Sequence, residues 1–212
     1  MIRKGYELLA GAFGLWAIVT QFIVSVPAFM AKDMSAAGAV VQFLSFFTIL
    51  TNCAVVLFYL AGLLNWKSAI LRSPKWQTAM ALYITIVCFI YAAILADIWE
   101  PEGIFRTLDI SLHYVAPVLF VLYWLIFVQH GEAAYADTPK WVLPGLAYTV
   151  YVLIRGAITG LYPYPFLDAG ALGYLAVTRN IVFLLFFFFI VGLAYVGIDM
   201  LLARLKTRTR EL

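Results

Sequence analysis

The chain has 212 residues, of which 65% are hydrophobic and only 12% charged, with a formal net charge of +3. Soluble domains carry about 25% charged and about 45–50% apolar residues. A water-soluble globule is therefore excluded, and so is a disordered chain, because too little of the sequence is polar. The two cysteines, Cys53 and Cys88, sit in apolar runs and read as buried thiols rather than a disulfide frame.

Six apolar stretches follow one another, at 8–30, 39–64, 77–98, 109–128, 141–160 and 175–202. Each meets the about 20 residues that a helix needs to cross the hydrocarbon. None alternates as a membrane β-strand must. The expectation is an all-α polytopic membrane protein, with residues 1–212 forming one domain, a bundle of six transmembrane helices. The first stretch follows Arg3 and Lys4, but its apolar run exceeds the about 7–15 residues of a signal-peptide core, so it reads as a retained helix.

Charge gives the orientation. With an even helix count both termini share a side. Placing them inside puts ten of the 14 basic residues inside and leaves only Lys32 and Arg106 in outer loops. The other two, Arg155 and Arg179, fall in or at the membrane. This is the positive-inside pattern. It predicts an integral membrane protein with cytoplasmic termini. The basic tail Arg204–Arg210 is expected against anionic headgroups, not on nucleic acid.

Polar groups inside lipid are costly and mark function. Ser45, Thr48 and Asn52 follow the i, i+3, i+7 spacing of one face of the second helix, with Thr51 close by. The fourth helix carries Asp109 and His113 one turn apart, and Pro117 a turn further on. Asp97 ends the third helix, Arg155 ends the fifth, and Arg179 with Asn180 opens the sixth. All of these collect in the outer half of the membrane. Each has an ordinary structural use: hydroxyls bond the i−4 carbonyl, amides glue helices, and arginines pair with acids. His130, beside Gly131 and Glu132, is expected to be solvated.

The two histidines are 17 residues apart, about 25 Å along one helix, and cannot ligate one centre. No metal or cofactor is expected, and no phosphate loop or serine elbow occurs. What remains is a hydroxyl, an imidazole and a carboxylate. A threonine becomes a nucleophile when a base accepts its proton. His113 can be that base, and Asp109 at i−4 can hold its tautomer. Arg155, Arg179 or an asparagine amide can stabilise an oxyanion, with Ser45, Asn52 and Asn180 as further supporting candidates.

Phe46-Phe47-Thr48-Ile49-Leu50-Thr51-Asn52, Leu112-His113-Tyr114 with Pro117, and Tyr162-Pro163-Tyr164-Pro165-Phe166-Leu167-Asp168 resemble the androgen-induced-gene protein family. Pro139-Lys140-Trp141 and Ile154-Arg155-Gly156 resemble its bacterial, integral-membrane branch. The animal members are intramembrane threonine hydrolases of fatty-acid esters of hydroxy fatty acids. The resemblance implies that Thr48 is the nucleophile, with Thr51 the competitor one turn away, and that His113 is the base. It also implies that Tyr164, Pro165 and Phe166, with Tyr162 nearby, shape the substrate mouth.

The expected function is thus an intramembrane lipid-ester hydrolase, taking a lipid or fatty-acid ester from the surrounding membrane lipids. The alternative is a transporter or sensor that binds lipid or a small anion without hydrolysis, through Arg155, Arg179, Asp97 and His113. The oligomeric state is not readable from the sequence.

Overall fold

A computed structural model of the protein describes residues 1–210, with side chains through Lys206. The side chains of Arg208 and Arg210, counted in the basic tail above, lie outside the described residues. Every regular element among the described residues is helical. Five helices are long and apolar enough to cross a membrane, or six if one sharply bent pair counts as a single span. The fold is that of an all-α polytopic membrane protein, as expected. The chain divides into two compact units, Met1–Val128 and Gln129–Leu212.

The first unit opens with α1 (Ile2–Met30). It starts well before the apolar run, because Arg3 and Glu7 pair along the helix at 2.9 Å. The predicted second helix, 39–64, is not continuous. It breaks into α2 (Ala36–Leu44) and α3 (Phe47–Leu63), bent by 76°. At the break Ser45 turns its hydroxyl back to the Val41 carbonyl at 2.6 Å, and Phe46 is extended. A Ser bonding the i−4 carbonyl competes with the helix ladder and bends it. The short α4 (Ala69–Arg72) follows, capped by the Ser68 hydroxyl. Then α5 (Pro74–Ile90) runs into a π-helical turn, Tyr91–Leu95. The last span comprises α6 (Gly103–Ile110), a second π turn at Ser111–Val115, and α7 (Ala116–Phe127).

Small residues let α1 and α3 approach closely. A Cβ on Gly14 would meet Val56 at 2.8 Å, and one on Gly11 would meet Tyr59 at 3.0 Å. Such seams are how membrane helices gain packing without a hydrophobic drive. Glu7, which the polar-residue reading passed over, is fully buried. It accepts from Arg3 and, at 2.7 Å, from the Tyr123 hydroxyl, tying α1 to α7. Phe58 and Tyr59 each pack edge-on against Phe120 and Tyr123. Beside the site described below, Ala17, Val26, Phe43, Ile49, Leu108 and Leu112 form an apolar core.

The second unit contains α8 (Thr138–Thr159), entered by a 3-10 turn at Tyr135–Asp137, then a 3-10 turn at Pro165–Leu167, α9 (Ala169–Leu172) and α10 (Tyr174–Arg210). α8 ends on Gly160 at φ 71, the left-handed residue that commonly stops a helix. Val152, Leu167, Ala169 and Val177 form its core. His130 is not solvated, contrary to expectation: its side chain is fully buried. Its Nδ1 lies 2.9 Å from Asp199 Oδ1, while Asp199 Oδ2 accepts the amides of Gly131 and Ala133. Burial of both groups is tolerable because each meets a hydrogen-bond partner. Gly131, at φ 94 with Ala203 only 2.9 Å from an added Cβ, allows the loop to close on α10.

Candidate active site

The break between α2 and α3 sets Thr48 in the first turn of α3, at the positive end of that helix's dipole. Its Oγ1 lies 3.2 Å from His113 Nε2. Thr51 is buried one turn on, but the hydroxyl bonded to the imidazole is that of Thr48.

The other edge of the ring faces oxygen acceptors. His113 Nδ1 lies 3.0 Å from the Asp109 carbonyl and 3.1 Å from Asp109 Oδ1. In the neutral tautomer that carries its proton on Nδ1, that nitrogen donates to Asp109 and Nε2 accepts from Thr48. The hydroxyl, imidazole and carboxylate of a triad are thus in line. His113 is 15% exposed and Asp109 10%, so the pair is sheltered yet reachable.

Pro117 explains the local backbone. Lacking an N–H, it cannot complete the regular ladder. The Ala116 amide instead bonds Ser111 across the π turn. The Leu112 carbonyl then loses its usual partner, and the residue one further along is Pro117. Asn52 fills the gap: its Nδ2 donates to the Leu112 carbonyl at 3.2 Å and to the Thr48 carbonyl at 2.8 Å. Asn52 therefore ties the threonine's segment to the histidine's. Both its amide hydrogens go to backbone carbonyls, a supporting role rather than one facing an oxyanion. Ser45, bonded to Val41, likewise shapes the break.

Sequence reasoning missed Tyr91. Its hydroxyl donates to Asp109 Oδ2, and its ring stacks on His113 with centroids 3.9 Å apart and planes at 18°. The usable signal is weak: an aromatic residue near the end of an apolar run.

The remaining candidates belong to the second unit. Arg155 is buried and donates through Nη1 to the Leu161 carbonyl at 2.9 Å. The absence of a Cβ on Gly156 lets the Tyr162 ring lie against the helix, since an added Cβ would fall 2.0 Å from it. Tyr164 stacks flat on Phe166, at 5.3 Å and 4°, and Pro165 opens the 3-10 turn between them. Asn180 Nδ2 donates to the Phe166 carbonyl at 2.9 Å, while Arg179 is exposed. In this unit Arg155 and Asn180 support the shape of the 160–168 loop.

Among the described residues no group of three or more His, Cys, Asp or Glu side chains is placed to hold a metal ion. The chain matches no protein-family model, no curated protein and no solved structure.

Proposed function

We propose that the chain is an intramembrane hydrolase of lipid esters, with Thr48 as nucleophile and His113 as base. The observation that carries this reading is the Thr48 Oγ1–His113 Nε2 contact of 3.2 Å, with Nδ1 held by Asp109. A threonine that bonded only its own helix would leave the imidazole nothing to activate.

The reaction runs in two halves. His113 Nε2 takes the Thr48 proton as Oγ1 attacks the ester carbonyl. The tetrahedral oxyanion forms near the N-terminus of α3, whose dipole favours negative charge. Its collapse breaks the ester C–O bond, and the imidazolium returns the proton to the departing alkoxide. The alcohol leaves and acyl-threonine remains. Water then gives a proton to His113, attacks the acyl carbonyl and releases the carboxylic acid, restoring Thr48. Asp109 steadies the imidazolium in both halves.

The substrate class is a long-chain ester drawn from the bilayer. Fatty-acid esters of hydroxy fatty acids are the first to test, because of the motifs around Thr48, His113 and Tyr164. The bias of basic residues supports cytoplasmic termini and a site in the outer half of the membrane. No cofactor is needed for this chemistry.

The test is hydrolysis of a fluorogenic long-chain ester by purified wild type, Thr48→Ala and His113→Ala. Turnover lost in both folded variants supports the reading. Turnover unchanged in Thr48→Ala, or absent from the wild type across a panel including branched fatty-acid esters, overturns it and favours the binding or transport alternative.

A further inference from the structure

We infer that Tyr91 is the positioning residue of this site and acts on His113 through Asp109; the inference rests on the hydrolase reading for its kinetic consequence, not for its geometry. Three observations meet on this side chain. Its hydroxyl donates to Asp109 Oδ2, while the carboxylate's other oxygen faces His113 Nδ1. Its ring stacks on the imidazole at 3.9 Å and 18°. Both rings also sit on π-helical turns, Tyr91 opening one and His113 central in the other. Such turns are rare and recur at functional sites, where the extra residue re-aims a side chain.

The two contacts complement each other. The hydroxyl fixes the carboxylate's rotation, so that Oδ1 stays against Nδ1. The stack fixes the imidazole plane, so that Nε2 stays aimed at Thr48. A base must be held to within fractions of an ångström to act efficiently, and its outer partners supply that hold. When His113 takes the proton, the face of Tyr91 also lies over a cation, an attractive arrangement. Tyr114 also packs edge-on to Tyr91, at 5.5 Å and 86°. The hydroxyl–carboxylate bond joins α5's π turn to the span bearing His113, so the catalytic geometry depends on two separate spans.

The alternative use of Tyr91 is packing alone, since the residue is only 6% exposed. Packing would survive removal of the hydroxyl, and the two roles separate on that atom. The experiment uses full-length protein carrying 15N-histidine, in nanodiscs, with the His113 signals assigned by their loss in His113→Gln. Tyr91→Phe keeps the stack and deletes the donor. It is expected to move the His113 Nδ1 proton resonance and to lower kcat by about 10- to 100-fold, with KM within about threefold, a part of the about 10²- to 10⁴-fold that a positioned base contributes. In an Asp109→Asn background the same change should cost less than about twofold, because partners in one network are not additive.

A resonance left in place, with losses that multiply in the double variant, overturns the inference. Should Tyr91→Phe fold poorly, 3-fluorotyrosine at position 91 keeps the shape and strengthens the donor. It must move the same resonance, and an unmoved one counts against the proposal. The resonance is read without any substrate. Wild type inactive on every ester therefore sinks the hydrolase reading while the spectrum still decides Tyr91. Active wild type with an unaltered Tyr91→Phe variant sinks the Tyr91 inference alone.

Discussion

Each unit of the protein holds one histidine against one aspartate, and the two pairs sit in different surroundings. His113 and Asp109 lie one turn apart, 15% and 10% exposed, on a widened helical turn. His130 and Asp199 are 69 residues apart, 0% and 1% exposed, between a loop and α10. Asp199 spends its second oxygen on two backbone amides that anchor that loop. Asp109 spends its second oxygen on a side chain, Tyr91, which stacks on the same imidazole. The ring it steadies ends on a threonine hydroxyl. A histidine–carboxylate pair is therefore not a signature of catalysis. The two pairs differ in access, and in what the aspartate's second oxygen holds.

The largest effects should separate the pairs cleanly. His113→Gln is expected to cut turnover by at least about 10²- to 10⁴-fold, while costing only about 1 kcal/mol of stability for one lost hydrogen bond. His130→Ala should do the reverse. Breaking a buried pair costs about 3–5 kcal/mol, with turnover per folded molecule unchanged. Unfolding in detergent, run beside ester turnover on the same samples, checks both. Equal loss of activity from the two variants would erase the contrast.

The carboxylates come next. Asp109→Asn should lower kcat at least about tenfold, but short of the about 10⁴-fold that a triad acid can carry. The Asp109 carbonyl, also 3.0 Å from Nδ1, remains in the variant. Asp199→Asn should leave kcat alone and cost about 1–3 kcal/mol, through a poorly matched buried group. Gly131→Ala belongs with Asp199. Its φ of 94 and the 2.9 Å approach to Ala203 make about 1–3 kcal/mol of strain the expected penalty, read by the same unfolding curves.

The apolar runs were legible because about 20 residues of unbroken hydrocarbon leave few alternatives to a spanning helix. Their ends were less so. α1 reaches back to Ile2 because a charged pair at i, i+4 is as helical as it is polar. The break at Ser45 was invisible, since neither Gly nor Pro marks it, and the face assigned to Ser45, Thr48 and Asn52 assumed one straight helix. His113 and Thr48 stood out because polar groups in lipid are costly. The bend brings Thr48 to the start of α3, where its hydroxyl meets His113. His130 was misread because its loop neighbours are polar while its partner is 69 residues away. Tyr91 offered no pattern at all, since its role comes from contacts across separate spans.

The smallest effect predicted concerns how the Thr48–His113 pair is held. Pro117 was visible in the sequence, but its consequence was not: a missing amide widens the turn at Ser111–Val115 and leaves the Leu112 carbonyl to Asn52. Asn52→Ala removes that donor and should cost about 1–3 kcal/mol, the penalty for an unsatisfied buried carbonyl. Pro117→Ala returns an amide to the helix that can serve the same carbonyl. In that background Asn52→Ala should cost clearly less. The two residues then act as halves of one device, a break in the ladder and its patch from the neighbouring helix. Equal penalties in both backgrounds would mean that Asn52 matters only through its bond to Thr48, and the widened turn would need another cause.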